Sequence, residues 1–429
     1  MEHPLEVVEG RRDKMSDRFK QRQQYFNAKS NINYVSVKKL MILIEDHPYL
    51  EDIKKVFNID SIYNDQIVVE NIGNLYNTIA AIKRDYKCFT LKAHSRNVFF
   101  TRGKVKVDGI RDRHPLIFNF IEAVDGDGVL INDFKGYSVY DSKNKYFDDF
   151  SMAKYANMLF DNSLDELTEI NLDYFRKIAS SSSHFDKHKS YRFVMHENQC
   201  FLRGITSLGY KEYGVDFAFV ASVLMLNKHM KNNIGNNYSI TFAALCESKL
   251  EMIIASNVSK KAGDFGTVSS AISVKTNDLG GGALTFTNII RLDVKGEGVY
   301  LYPNNREVSR KNITINHGNT GVKTALRQIS NSEDFYDYID YFINELVAVK
   351  TINTPEDLRK RILVKISHPT SSLKTVSKEL KDLFKNPIKD VIEDFSKFLV
   401  MCKKAEQLEI DYDLKEKLRV IISDVILNK

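Results

Sequence analysis

From Lys260 to Arg327 the chain alternates β-branched and small residues between glycines, as KKAGDFGTVSSAISVKTNDLGGGALTF, then IIRLDVKGEGVYLYPNN, then SRKNITINHGNTGVKTALRQ. Period-two patterning cut by glycine turns predicts at least three strands here and leaves no room for a long helix before Val322. The same stretch repeats Lys and Arg without a catalytic constellation, so it reads as a built surface rather than a reaction centre. Upstream, YRFVMHENQCFLRGITS reads as two strands turning at Asn198, and Tyr238 to Ala244 and Lys249 to Ala255 as two more. Between these pairs, Asp216 is placed to cap an amphipathic helix running through His229, with Phe217, Val220, Leu224 and Met225 inward. The expected class is therefore α+β: an antiparallel sheet domain with an inserted helix over residues 184–330.

After Asn331 the period becomes helical. Thr354-Pro355-Glu356-Asp357 is a helix start with proline at its first position, Pro387 predicts another, and FSKFLVMCKKAEQL and LKEKLRVIISDVIL complete a helical C-terminal bundle over residues 331–429. Residues 1–178 read as a mixed α/β region with a basic hairpin. The run Ala179-Ser180-Ser181-Ser182-Ser183 is the sharpest change in composition and the expected boundary.

A chain of 429 residues predicts two or three folding units. No apolar run approaches the length of a membrane span, and the N-terminus lacks the apolar segment of a secretory signal, so a cytoplasmic protein without a membrane partner is expected. Cys88, Cys200, Cys246 and Cys402 lie far apart and form no CxxC pair, which argues against a zinc ribbon or a redox motif. Asp125, Asp127 and Asp133 alternate with glycines in VDGDGVLIND, yet Val129 and Gly136 stand where a calcium loop needs oxygen ligands, so a hairpin turn is the expectation. In HFDKH, His184, Asp186 and His188 would share one face of a strand, but lysines and serines beside them are poor support for a metal. Asp278-Leu279-Gly280-Gly281-Gly282-Ala283 fits neither a P-loop nor a dinucleotide fingerprint and reads as a wide turn. No cofactor and no metal are expected.

The net charge of +6 is mild, but its distribution is not. Between Lys83 and Arg113 ten basic residues stand against three acidic ones, with Tyr86, Phe89, Phe99 and Phe100 interleaved and a turn expected at Arg102-Gly103. A basic, aromatic hairpin suits a phosphate backbone and stacked bases. The alternative is a hairpin with its aromatics inward and its lysines solvated. Arg11, Arg12, Lys14, Arg18, Lys20 and Arg22 form a basic N-terminal arm, read as a polar helix or tail. From Arg306 to Arg327 six of the residues are Arg, Lys or His against Glu307 alone, and Lys323 and Arg327 fall one turn apart on a helix that starts after Gly321.

Three blocks, LRGITSLGY, VSSAISVKTNDLGGGALTF and IIRLDVKGEGVYL, resemble the phage/plasmid-like family of domain-of-unknown-function proteins carried on mobile elements. The matching positions are Arg203, Ser207 and Tyr210, then Asn277, Asp278, Gly280 and Gly281, then Arg291, Leu292 and Gly296. Val294 and Lys295 depart from the Cys and Asn usual in that family. The resemblance spans residues 191–327 and implies a phage, plasmid or prophage origin with no established enzymatic activity.

The leading expectation is a non-enzymatic nucleic-acid-binding protein of a mobile element, acting on single-stranded DNA in preference to RNA and assembling as a homo-oligomer. Its phosphate contacts would be Arg96, Arg102, Lys104, Lys106, Arg203, Arg291, Lys295, Arg310, Lys311, Lys323 and Arg327. The alternatives are a self-assembling or protein-interaction factor, and an enzyme with an unrecognised site at His317 or in HFDKH.

Overall fold

The computed structural model describes residues 19, 22–26, 32–102, 116–179, 187–233, 235–263, 266–294, 297–303, 312–318, 320–331, 339–368, 371, 373–385 and 391–427. In chain order the elements begin with β1 (Arg22–Tyr25), β2 (Tyr34–Ser36), α1 (Val37–Leu43), α2 (Leu50–Val56), α3 (Ile59–Ile62), β3 (Gln66–Val68) and α4 (Ile72–Asp85). Then come β4 (Lys87–His94), β5 (Val98–Arg102), β6 (Leu116–Val124), β7 (Leu130–Ser138), α5 (Ser142–Asp148), α6 (Ala153–Asp161), α7 (Asp165–Ala179), β8 (His188–His196) and β9 (Gln199–Ser207). The second half holds α8 (Gly214–Asn232), β10 (Tyr238–Leu245), β11 (Lys249–Lys261), β12 (Thr267–Asn277), β13 (Leu284–Val294), β14 (Glu297–Leu301) and β15 (Ile313–Ile315). It closes with α9 (Val322–Ser330), α10 (Ile339–Ile352), α11 (Pro355–Ser367), α12 (Ser377–Phe384), α13 (Phe395–Glu406) and α14 (Tyr412–Leu427). The fold class is α+β, as the patterning predicts.

The chain divides into two compact units, and neither is continuous: residues 1–20 with 83–210, and residues 21–82 with 211–429. The change of composition at residues 179–183 is thus not where the units part. β8 and β9, beyond it, belong to the same sheet as β4 to β7, because β8 pairs with β4 over its whole length. The C-terminal helices likewise share a unit with the sheet that precedes them.

In the first unit the strand order is β4-β8-β9-β7-β6-β5, and one further pair, Lys92 opposite Val124, joins β4 to β6. That pair closes β4, β8, β9, β7 and β6 into a five-stranded barrel. β4 and β5 act as one bent strand: β4 pairs with β8, a short turn at Ser95–Asn97 redirects the chain, and β5 then pairs with β6. β7 runs parallel to β9, and the remaining neighbours are antiparallel. Counting the bent strand as first, the ring reads first, second, third, fifth, fourth, first, a Greek-key barrel with its helices inserted between third and fourth strands. Leu91, Phe118, Phe120, Tyr191, Phe193 and Leu202 fill the interior, and Tyr146, Phe147 and Phe150 of and beside α5 close over it with Phe160 of α6 and Leu172 of α7. Gly136 of β7 is required here, since a Cβ would stand 2.6 Å from the Phe193 ring.

The strand expected ahead of a turn at Arg102-Gly103 is the bent β4–β5 strand, which ends at Arg102, and residues 103–115, on which the turn and the returning strand are expected, lie outside the described residues; none of Phe89, Phe99 and Phe100 is exposed. Phe100 is buried, Phe89 stacks on Phe193 with ring centroids 5.4 Å apart, and Phe99 lies under the Arg176 guanidinium at 4.0 Å. The VDGDGVLIND segment forms the turn between β6 and β7: Asp125 Oδ1 accepts from the amides of Asp127 and Val129, and Gly128 takes φ +85°.

In the second unit a seven-stranded antiparallel sheet runs β1-β10-β11-β12-β13-β14, with β15 also on β13. Arg22 to Gln24, expected in a polar helix or tail, form an edge strand instead, because β10 offers them its free edge. α8 packs on β11 and β12. Helices α10 to α14 pack Leu346, Leu358, Ile362, Phe398, Leu399, Leu418 and Ile422 against Val268, Ile290, Leu292, Val299 and Leu301 of one face, and α14 sets Tyr412 against Ala271, Ile289 and Tyr300 of the other. A sheet covered on both faces has no polar side to alternate with, which is why every residue of β10 is buried. For the same reason α8 is buried nearly all round rather than along one stripe. Among the described residues no helix is long and apolar enough to cross a membrane.

Candidate nucleic-acid surfaces

β6 and β7 present an open outer face. Alternation along β6 sends Leu116, Phe118 and Phe120 inward and turns Ile117 and Asn119 outward, where the register sets Tyr137 opposite Ile117 and Lys135 opposite Asn119. Lys135 is exposed, and the Tyr137 ring is half-buried against Phe201 at 6.0 Å. A lysine beside a flat, partly exposed ring is able to bind a phosphate and stack a base together. The connection from β5 to β6, residues 103–115, carries Lys104, Lys106, Arg111 and Arg113 in its sequence. Arg96 is exposed at the bend between β4 and β5.

A second cationic surface lies in the other unit. α9 buries Val322, Ala325, Leu326 and Ile329 and turns Lys323 and Arg327, four residues apart, toward solvent. α9 packs against α2 and α8, and the three helices bound a cleft of about 530 Å³ lined by Lys55, Val56, Lys228, Lys323, Arg327, Ser330 and Asn331. None of those lining residues is a carboxylate. Lys228 Nζ donates to the Ser330 carbonyl at 2.8 Å, which fixes one cation at the wall. Four cations from three elements give the focused positive potential that attracts a polyanion.

The other sequence-predicted contacts divide three ways. Arg102 is committed to Asp165, and Arg291 to Asp293 at 3.1 Å, so both are already neutralised. Arg203 is only 1% exposed, held in β9 within the barrel sheet, and so is corrected from a phosphate contact to a buried residue. Lys104, Lys106, Lys295, Arg310 and Lys311 lie outside the described residues, as do the Ser180–Ser183 run, His184, Asp186 and Pro387. The next described helix after Pro387 begins at Phe395, capped by Asp394.

His317 and the glycine turn have structural roles that local sequence reading misses. Asp278, 1% exposed, accepts from the amides of Tyr213 and Gly214 at 3.3 and 2.8 Å and so serves the start of α8 from a distant turn. This replaces the expected Asp216 cap: the helix begins at Gly214, which takes φ +73°, before Asp216 is reached. His317 Nδ1 is 2.7 Å from the Lys211 carbonyl, to which it donates, and 3.6 Å from Asp278.

Sequence reading also passed over a buried polar seam between the sheet and α14. Glu251 of β11 accepts from Arg419 at 2.8 Å and from Tyr302 Oη at 2.9 Å, while Arg419 Nε donates to Glu406 at 2.9 Å. Burial alone would lower the Arg419 pKa, but Glu251 and Glu406 together raise it well above its ordinary value. Lys415 Nζ donates to Tyr25 Oη and to the Glu406 carbonyl, each at 2.6 Å, and burial draws its pKa down to about 8. The available signal was a lone charge inside an apolar run, Glu251 in LEMIIAS and Arg419 in LRVIIS.

Scans against protein-family models, curated proteins and solved structures find no match for this chain.

Proposed function

We propose that this protein binds single-stranded nucleic acid, DNA in preference to RNA, without catalysing a reaction on it. The observation that carries the reading is the barrel. A five-stranded Greek-key ring whose third and fifth strands are parallel has the connectivity of the oligonucleotide- and oligosaccharide-binding barrels, which bind across the outer face of their second and third strands. Here those strands are β6 and β7, and their outer face carries Lys135 and Tyr137. The long connection after the first strand, a usual second contact in such barrels, is the basic segment 103–115. A barrel is a scaffold and not by itself an activity, so the chemistry on that face has to agree with it, and a cation beside an aromatic does. The Lys55, Lys228, Lys323 and Arg327 cleft of the other unit supplies further phosphate contacts. The resemblance of three sequence blocks to mobile-element proteins supports a phage or plasmid setting.

Fluorescence anisotropy with single- and double-stranded oligonucleotides at two salt concentrations tests the reading. Single strands bind more tightly, and the affinity falls with salt. Tyr137→Ala weakens single-strand binding by about 1–3 kcal/mol with little change in the salt slope. Lys323→Ala with Arg327→Ala lowers the magnitude of that slope by about 1–2. Absence of binding to either strand form at low salt overturns the proposal.

A further inference from the structure

The helical pair α6–α7 in the first unit exposes apolar side chains that its own core does not use. Leu172 and Thr168 of α7 are fully buried and face the barrel. At 100° per residue, Leu167, Ile170 and Tyr174 fall on the opposite side of the helix, at the i, i+3, i+7 spacing of a helix–helix seam. They are 42%, 62% and 64% exposed. Leu164, just before α7, and Tyr155 and Met158 of α6, which packs on α7, are exposed as well.

We propose that this surface pairs with the same surface of a second copy of the chain, with the two α7 helices antiparallel about a two-fold axis near Ile170. Six side chains of this size and exposure leave on the order of 600–700 Å² of mostly apolar surface, more than the largest patch on a typical monomer and near the ~800 Å² that each partner brings to a standard interface. Charge selects the partner and the direction. On its exposed side α7 carries Glu166 in the first turn and Lys177 in the last, whereas Asp165 is held by Arg102 and Arg176 by Asp173 and the Val98 carbonyl, so an antiparallel copy sets Glu166 of one helix toward Lys177 of the other. About that axis Leu167 meets Tyr174 of the other copy, Glu166 approaches its Lys177, and the helix dipoles oppose. A two-fold arrangement satisfies both patches at once and closes, which a head-to-tail arrangement does not. The inference rests on a different surface from the nucleic-acid reading and stands or falls separately.

Light scattering coupled to size exclusion on the nuclease-treated full chain, at tens of micromolar, measures the mass directly. The expected value is twice the 49.4 kDa of one chain. Ile170→Asp and, separately, Tyr174→Ser halve the mass while the melting temperature of the monomer and the far-ultraviolet dichroism persist, because both side chains face away from the core. Glu166→Lys and Lys177→Glu each weaken the dimer, and the double exchange restores it. A wild-type mass of 49.4 kDa, a mass that climbs without limit, an Ile170→Asp protein that stays dimeric, or single charge exchanges without effect would each overturn the proposal.

Discussion

At residue scale the strongest commitment in the chain is Arg419, 1% exposed between Glu251 and Glu406 and stacked over the Phe242 ring at 4.6 Å. Removing the guanidinium leaves the two buried carboxylates without the cation that bridges them. Arg419→Met is therefore expected to cost about 3–5 kcal/mol, read as a lower urea midpoint at unchanged slope. Replacing Glu251, Glu406 and Arg419 together by apolar residues of similar volume should recover most of that loss, since the desolvation of all three charges is then avoided. The phosphate contacts predicted from residue type fared according to what surrounds each one. Lys323 and Arg327 stay exposed because α9 turns its other face to the core. Arg203 and Arg291 looked the same in sequence, but one is buried in the barrel sheet and the other lies beside Asp293. A basic residue type says nothing of which neighbours a distant segment will bring to it.

At element scale, starts and stops were legible wherever they depend on adjacent residues. The start of α11 at Thr354-Pro355-Glu356-Asp357 is a complete capping box: Thr354 Oγ1 accepts from the Asp357 amide at 3.2 Å, and Asp357 Oδ2 accepts from the Thr354 amide at 3.3 Å. One turn in, the hydrogen bond from Arg359 to Glu356 holds that carboxyl at about 2 against an ordinary 4.5, with the Ile392 amide helping at 3.3 Å. A depressed folded value means that Glu356 contributes its stability above pH 4.5 and loses it as the pH falls toward 2. The melting-temperature gap between wild type and Glu356→Gln should be present at neutral pH and narrow steadily across that acid window. The start of α8 was not legible in the same way, because its amides are served by Asp278 of a turn sixty-odd residues on. The bend at Ser95–Asn97 was not legible for a related reason. The bent strand changes partners there, from β8 to β6, and a change of partner leaves little trace in local composition.

For the whole molecule, the decisive fact is that two cores are built from interleaved chain segments. Phe193 lies in the core of the barrel unit and Ile362 in that of the sheet-and-helix unit. Urea unfolding followed by dichroism and by fluorescence should therefore depart from a single two-state transition. Phe193→Ala is expected to lower the stability of one phase by about 3–5 kcal/mol and Ile362→Ala that of the other by about 2–5 kcal/mol, each read as a lower midpoint. Coincident shifts of one common transition would show the units to be a single cooperative block.

By itself the sequence determined the α+β class, the glycine-cut strands around Lys260–Arg327, the helical C-terminus, the Thr354 cap and the solvent face of α9. Each of these follows from periodicity and from neighbours within a turn or a hairpin, where the chain has little choice of partner. Only the tertiary structure decided that residues 83–210 close into a barrel through Lys92 and Val124, that Arg203 is inside while Lys323 is outside, and that Lys55, Lys228, Lys323 and Arg327 line one cleft. Those outcomes depend on contacts between residues far apart in the chain. Which of the many such contacts form is settled by packing whole faces together, a quantity that no local window of sequence contains.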